Sequence, residues 1–363
     1  MLETTTDSQT RVTAAQAEDL LHDLVSIPSL SGAEANASAF LADWMADHGF
    51  EAWVDETGSA VGERGHGPRQ IVLLGHIDTF PGEIPVRTAE RQLFGRGSVD
   101  AKGSLAAFAV AAARAEPPSD FKVIVIGAVE EEAASSRGAR HAVGRCRPEA
   151  CLIGEPSGWE RLTLGYKGRL NLAWSWRGGL AHSAGPTPSP AEVAVRAWRR
   201  IEEYTFAFNQ GRPDEFHKIR PSLLSIRSDR AGAFGGAAIE VNLRLPPHLV
   251  PEDVEQAIRA GISNGEMAFS GHERAFDGPI DSTLTRALRT AIRAHGGQPR
   301  HVYKTGTSDM NVVGPIWGCP IAAYGPGDSR LDHTPDEHLD LDEYQRSIQV
   351  LHNALSSLMA HDG

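Results

Sequence analysis

Apolar positions along this chain recur with two different periods, and the change between them marks a change of architecture. In the first part, runs with helical spacing alternate with short continuous apolar runs. Ala, Leu and Val recur at helical spacing over 13–26, and Phe40, Leu41, Trp44 and Met45 make one stripe within 34–48. Ile71-Val72-Leu73-Leu74, Val123-Ile124-Val125-Ile126 and Cys151-Leu152-Ile153 are continuous, the pattern of strands buried on both faces. An Ala-rich helix over 104–114 falls between the first two. Strands alternating with helices predict an α/β domain with a largely parallel sheet.

From about residue 166 the period becomes two. Leu170, Leu172, Trp174 and Trp176 alternate with Asn171, Ala173, Ser175 and Arg177, and Ile239, Val241, Leu243 and Leu245 with Glu240, Asn242 and Arg244. Such strands bury one face and predict antiparallel pairing. With helical patterns near 190–203 and 252–262, they outline a smaller α+β domain over 166–277. A helix over 282–295, a strand at Ile321-Ala322-Ala323-Tyr324 and a last helix with Tyr344, Ile348, Leu351, Leu355 and Leu358 on one face then complete the first domain. The expected organisation is a discontinuous domain of 1–165 and 278–363, interrupted by 166–277.

Composition sharpens this picture. The 363 residues exceed one ordinary domain, and 41% hydrophobic with 23% charged residues is a soluble globular balance. The net charge of −12 argues against sequence-independent nucleic-acid binding, which needs a basic footprint. No apolar stretch approaches 18 residues, so no membrane span is expected. The polar start MLETTTDSQT carries no signal-peptide pattern, and three cysteines without a Cys-x-x-Cys spacing fit a reducing cytoplasm. Any bound metal must therefore be held by His and carboxylates.

The polar residues that follow the predicted strands are the informative ones. His76 and Asp78, Glu130-Glu131-Glu132, and Glu155 each lie just past a strand's C-terminal end, the edge of an open α/β sheet where sites form. Asp100 sits in Gly95-Arg96-Gly97-Ser98-Val99-Asp100-Ala101-Lys102-Gly103, which fits neither the Walker A nor the dinucleotide pattern. His333 lies in Asp332-His333-Thr334-Pro335-Asp336-Glu337. Singly, each has an ordinary explanation: a turn Asp, a helix N-cap, a solvated charge run. Together, His76, Asp100, Glu132, Glu155 and His333 supply two imidazoles and three carboxylates. That set can hold two divalent ions if one carboxylate bridges, and hard oxygen and imidazole donors suit zinc, cobalt or manganese.

These motifs, in this order along nearly the whole chain, resemble the M20 metallopeptidase and amidohydrolase family. The resemblance implies a di-metal catalytic domain interrupted by a lid that also dimerises, with two Zn2+ or Co2+ ions per subunit. By motif, His76 binds one metal and His333 the other, Asp100 bridges, Glu132 and Glu155 are ligands, and Asp78 orients His76. Glu131 is the expected general base, because Glu130 takes the acidic position that usually precedes the family's glutamate pair. His182, in Gly179-Leu180-Ala181-His182-Ser183-Ala184, is expected to stabilise the oxyanion from the lid, and Arg244 to bind a substrate carboxylate. Gly75-His76-Ile77-Asp78-Thr79-Phe80-Pro81-Gly82, Lys304-Thr305-Gly306-Thr307-Ser308-Asp309 and Gly165-Tyr166-Lys167-Gly168 look most like the members that release lysine or ornithine from the terminal glutamate of a small acidic amino-group carrier protein. For that substrate, Lys304, Arg169, Arg244 and Thr307 are candidates for its carboxylates and Asp309 or Glu83 for its ammonium. An acidic carrier would be repelled by a net charge of −12, so a local basic patch at the mouth is expected. A deacetylase of small N-acyl amino acids, such as acetylornithine, and a non-catalytic metal-binding adaptor are the alternatives.

Overall fold

The structure, a computed structural model, describes residues 12–360. The polar start read from residues 1–10 lies outside the described residues. The chain folds into two compact units, the second comprising Gly165–Asp277 and Tyr303–Asn311 and the first the remainder. The segment Tyr303–Asn311, which the sequence pattern groups with 278–363, is part of the second unit.

In the first unit the three continuous apolar runs form the centre of a mixed sheet. Arg69–His76 lies between Phe121–Ala128 and Pro148–Gly154 and runs parallel to both, with His76 opposite Ala128 and Gly75 opposite Gly154. Ile321–Ala323 extends the parallel run beside Pro148–Gly154. Parallelism ends there: Ala60–Arg64 joins antiparallel on one side, and Thr163 of the strand Arg161–Tyr166 pairs antiparallel with Ala323 on the other. Burial explains the distinction. The central strands are covered on both faces and read as unbroken apolar text, whereas Glu51–Val54 at the edge is partly exposed along its length.

The helix Lys102–Arg114 is buried from Lys102 through Ala113, and its composition is the reason it fits. Alanine side chains and three strand glycines let its backbone lie close to the sheet. A Cβ at Gly75 would meet Leu105 at 3.3 Å, and one at Gly154 would meet the Phe108 ring at 3.0 Å. Such close packing brings the helix N-terminus, and Asp100 just before it, to the C-terminal ends of the parallel strands. The first helix, Ala14–Ser26, starts with a reciprocal cap in which Thr13 accepts from Gln16 N and Gln16 from Thr13 N.

The second unit holds a four-stranded antiparallel sheet in the order Arg220–Ala231, Phe234–Leu245, Gly168–Gly179, Glu266–Glu273. The alternating residues meet in register, Leu170 opposite Leu243 and Trp174 opposite Ile239. They share a core with Val193, Ile201, Val254 and Ile258 from the helices Pro190–Asn209 and Pro251–Gly261. No helix among the described residues is long and apolar enough to cross a membrane.

Phe108 is fully buried in the first core, against Gly154 of the sheet. Phe108→Ala should cost about 3–5 kcal/mol in urea unfolding, because the site cannot collapse around rigid strands. A loss below about 1 kcal/mol would show that the helix is not held flush to the sheet.

Candidate metal centre

The site begins where the parallel strands end. His76 is the last residue of Arg69–His76, and the chain then turns across the sheet edge. Ser29 Oγ donates to Ile77 O at 2.7 Å and Thr79 N to Ser29 O at 2.9 Å, which fixes the path of Ile77-Asp78-Thr79. Asp78 is wholly buried. It accepts from Ser31 Oγ at 2.7 Å, from Glu131 N at 3.0 Å and from Glu132 N at 3.0 Å, and its Oδ1 lies 3.5 Å from His76 Nδ1. Burial alone would raise this carboxyl, but His76, Ser31 and the Glu131 amide more than offset it and hold it below 3.8. One carboxylate thus ties the loop after the first central strand to the loop after the second.

The same contacts distinguish the three consecutive glutamates. Glu130 adopts a left-handed φ of 62°. Its amide donates to buried Glu34 at 3.2 Å, and its carboxylate accepts from Ser135 Oγ at 2.5 Å and pairs with Arg137 at 3.0 Å. Glu130 is engaged away from the histidines, while the amides of Glu131 and Glu132 are seated on Asp78.

Asp100 occupies the centre. Its Oδ1 lies 3.3 Å from His76 Nε2 and its Oδ2 3.1 Å from His333 Nε2, and His333 Nε2 lies 3.0 Å from Glu132 Oε1. Asp100 is not a helix cap: the N-cap of Lys102–Arg114 is Ala101, which makes no side-chain capping bond. Burial would raise Asp100, but hydrogen bonds to His333 and His76 bring it far below the usual carboxylate range. The carboxylates act equally on the imidazoles. Asp100 first, and then Glu132, push His333 up to about 10. Burial would lower His76, yet Asp100 and Asp78 hold it well above 6.5. His333 also stacks on Phe80, with ring centroids 4.0 Å apart and planes 10° off parallel.

Donor atoms of Asp100, Glu132 and His333 lie within 4.8 Å of one another. His76 joins them through the other oxygen of Asp100. Carboxylates and imidazoles facing one another, with a single carboxylate turned toward both rings, form a donor set that fits divalent cations. Glu155 is buried in the turn after Pro148–Gly154 and is not one of the three clustered residues.

The remaining expected residues lie in the second unit. His182 is exposed, and its Nδ1 accepts from Ala184 N at 3.2 Å. Arg244 and Arg169 face each other in register on neighbouring strands. Arg244 Nη1 donates to Thr307 Oγ1 at 3.0 Å, and the buried Arg169 Nε has no hydrogen-bond partner among the described residues. The Lys304 ammonium sits 5.7 Å from the Tyr166 ring centre. Asp309 is buried at the start of the helix Asp309–Trp317.

Three supporting residues are not evident from the sequence motifs: Ser31, Glu34 and Glu337. Glu337 is wholly buried and accepts from Val99 N at 3.0 Å and Asp100 N at 3.1 Å. A glutamate four positions after His333 is its only visible signal.

The Peptidase family M20/M25/M40 model matches residues 72–357. The chain belongs to this family. It is 50% identical over 355 residues to the [LysW]-lysine hydrolase of Deinococcus radiodurans, covering 95% of this chain and 98% of that one. It is 36% identical to a putative [LysW]-lysine/[LysW]-ornithine hydrolase of Pyrococcus furiosus, again over 95% and 98% of the two chains. Among solved structures, an M20 family metallo-carboxypeptidase of Sulfolobus solfataricus has the same fold, with a TM-score of 0.78 and 16% identity over 95% of this chain and 100% of that one. A dinuclear metal binding M20 peptidase of Bacillus subtilis matches with a TM-score of 0.68 and 17% identity over 95% and 98%.

The shifted groups set a pH window for the metal-free protein. Asp78 and Asp100, held below 3.8, contribute stability that is complete above 3.8 and lost as pH falls through their lower folded values. His333, raised from 6.5 to about 10, contributes stability that is complete below 6.5 and lost as pH rises through about 10. The thermal midpoint of chelator-treated protein should therefore be highest between 3.8 and 6.5 as far as these groups are concerned, and Asp100→Asn should flatten both flanks. Unchanged flanks in Asp100→Asn would exclude this network as their source.

Proposed function

We propose that this chain is a di-metal amide hydrolase that releases L-lysine, or L-ornithine, from the terminal glutamate of a small acidic carrier protein. The observation that carries the substrate assignment is the 50% identity, over 95% of the chain, to the [LysW]-lysine hydrolase of Deinococcus radiodurans. The lysine-or-ornithine breadth follows the names of relatives such as the one from Pyrococcus furiosus. The chemistry is supported by the linked arrangement of His76, Asp100, His333 and Glu132.

In this reading His76, Asp100, Glu132, Glu155 and His333 would hold two zinc or cobalt ions. When bound, such ions polarise an amide carbonyl and make water acidic enough to attack near neutral pH. Asp78 keeps His76 oriented from the buried side. Glu131, whose amide is seated on Asp78, takes the proton from the attacking water and delivers it to the departing α-amino nitrogen. His182 donates a hydrogen bond to the tetrahedral oxyanion. Arg169, Arg244 and Thr307 receive a substrate carboxylate, and an incoming oxygen would satisfy the buried Arg169 Nε. Lys304 adds positive charge for the acidic carrier, and Asp309 receives the substrate ammonium.

We place this activity in the cytoplasm, where the three free cysteines stay reduced. The active form is a homodimer through the second unit. Arg220–Ala231 is an edge strand with one sheet neighbour, and it exposes Leu224 and Ile226 by 65% and 46%. The helix Pro190–Asn209, which packs on that strand, exposes Phe206 by 69%.

Purified protein loaded with cobalt or zinc should hydrolyse carrier-linked lysine and leave N-acetylornithine nearly untouched. Turnover of acetylornithine with none of the carrier substrate would overturn the assignment in favour of a deacetylase. Glu131→Gln should lower kcat by about 10²–10⁴-fold at unchanged metal content; undiminished turnover would remove Glu131 as the base. A Leu224→Lys, Ile226→Lys double variant should sediment as a monomer where the parent sediments as a dimer. If both sediment alike, the edge strand is not the interface.

A further inference from the structure

The Asp100 loop is held by an ion pair buried beneath it. Glu337 has no exposed side-chain surface and Arg96 only 13%. Glu337 divides its two oxygens between two tasks: Oε1 accepts from both Val99 N and Asp100 N, at 3.0 and 3.1 Å, and Oε2 accepts from Arg96 Nη1 at 2.7 Å. Arg96 also donates from Nε to Gly82 O at 3.0 Å, and its guanidinium carbon lies 5.9 Å from the Phe80 ring centre. Phe80 in turn stacks on His333. The contacts close a ring: Asp100 backbone, Glu337, Arg96, Phe80, His333, and back to the Asp100 carboxylate.

A buried carboxylate facing the acidic Asp100 is a costly way to fill space, and an apolar side chain of similar size would pack there more cheaply. What an apolar residue could not do is bind two consecutive amides and so fix the direction in which the Asp100 side chain leaves the backbone. Asp100 contacts both imidazoles, so an error in its placement is felt at both histidines. Phe80 carries the same ion pair to the outer ring of the pair.

We propose that Glu337 and Arg96 are positioning residues that set the Asp100 carboxylate between His76 and His333, and that metal affinity and turnover depend on this ion pair. The inference rests on the di-metal reading above. Its test is cobalt(II) titration of chelator-treated protein by calorimetry, alongside thermal unfolding of the metal-free protein and steady-state kinetics at saturating cobalt. Glu337→Gln should weaken cobalt binding by about 10–100-fold, the range for residues that orient ligands. It should also lower kcat while KM stays within about twofold. Arg96→Met should act in the same direction, and Arg96→Lys, which keeps the charge, should recover part of the loss.

Cobalt affinity and kcat at parent values in folded Glu337→Gln and Arg96→Met would overturn the proposal, even if both variants melt earlier; that pattern would mean a purely structural brace. If Glu337→Gln does not fold, the Arg96 pair decides alone, since Arg96→Met with parental cobalt affinity also overturns it. A parent protein that binds cobalt yet ignores carrier-linked lysine would sink the substrate reading and leave this inference standing. A parent that binds no cobalt would sink both.

Discussion

One carboxylate shared by two imidazoles organises this protein. Asp100 is bonded through one oxygen to His76 and through the other to His333, and those residues arrive from opposite ends of the first unit's sequence. Charged groups placed this close, with His76 buried and Asp100 nearly so, are stable only when each is paired and its direction is fixed. Much of the surrounding structure meets that condition: Asp78 under His76, Ser31 and the Glu131 and Glu132 amides on Asp78, and Glu337 under the Asp100 amide.

The fold supplies the rigidity this requires. A parallel sheet ends all its central strands at one edge, so the loops after Arg69–His76 and Phe121–Ala128 begin side by side. The Ala-rich helix lies flush against those strands because the glycines beneath it carry no Cβ, and Leu105 and Phe108 lie 3.3 and 3.0 Å from where one would sit at Gly75 and Gly154. Its N-terminus therefore comes to the same edge with Asp100 in front of it. Packing in the core and geometry at the centre are two consequences of one choice of small residues.

Much of this is legible from the chain. Continuous apolar runs mark the parallel strands because burial on both faces leaves no solvent side to read, and alternation marks the antiparallel pair around Leu170 and Leu243 because one face stays wet. Other elements hide for physical reasons. Arg220–Ala231 is exposed over most of its length and shows no apolar alternation. The helix Arg137–Arg145 buries only Gly138, Ala139 and Ala142, so its apolar stripe is nearly invisible. The sequence pattern also groups Tyr303–Asn311 with 278–363, whereas the fold groups it with the second unit, since local pattern carries no information about distant packing.

The chemistry divides in the same way. The sequence by itself determined the donor types, their positions after strands, and the family they resemble, because residue identity and strand periodicity are local properties. Only the tertiary structure shows how each member of the Glu130–Glu132 run is held. Glu130 turns to Ser135 and Arg137 while Asp78, more than fifty residues away, seats the next two amides. It likewise decided that Asp100 faces both histidines rather than capping its helix, and that Glu337 holds it there. These are hydrogen bonds between residues far apart in the chain, and their partners are chosen by how the strands and helix pack, which no local pattern encodes.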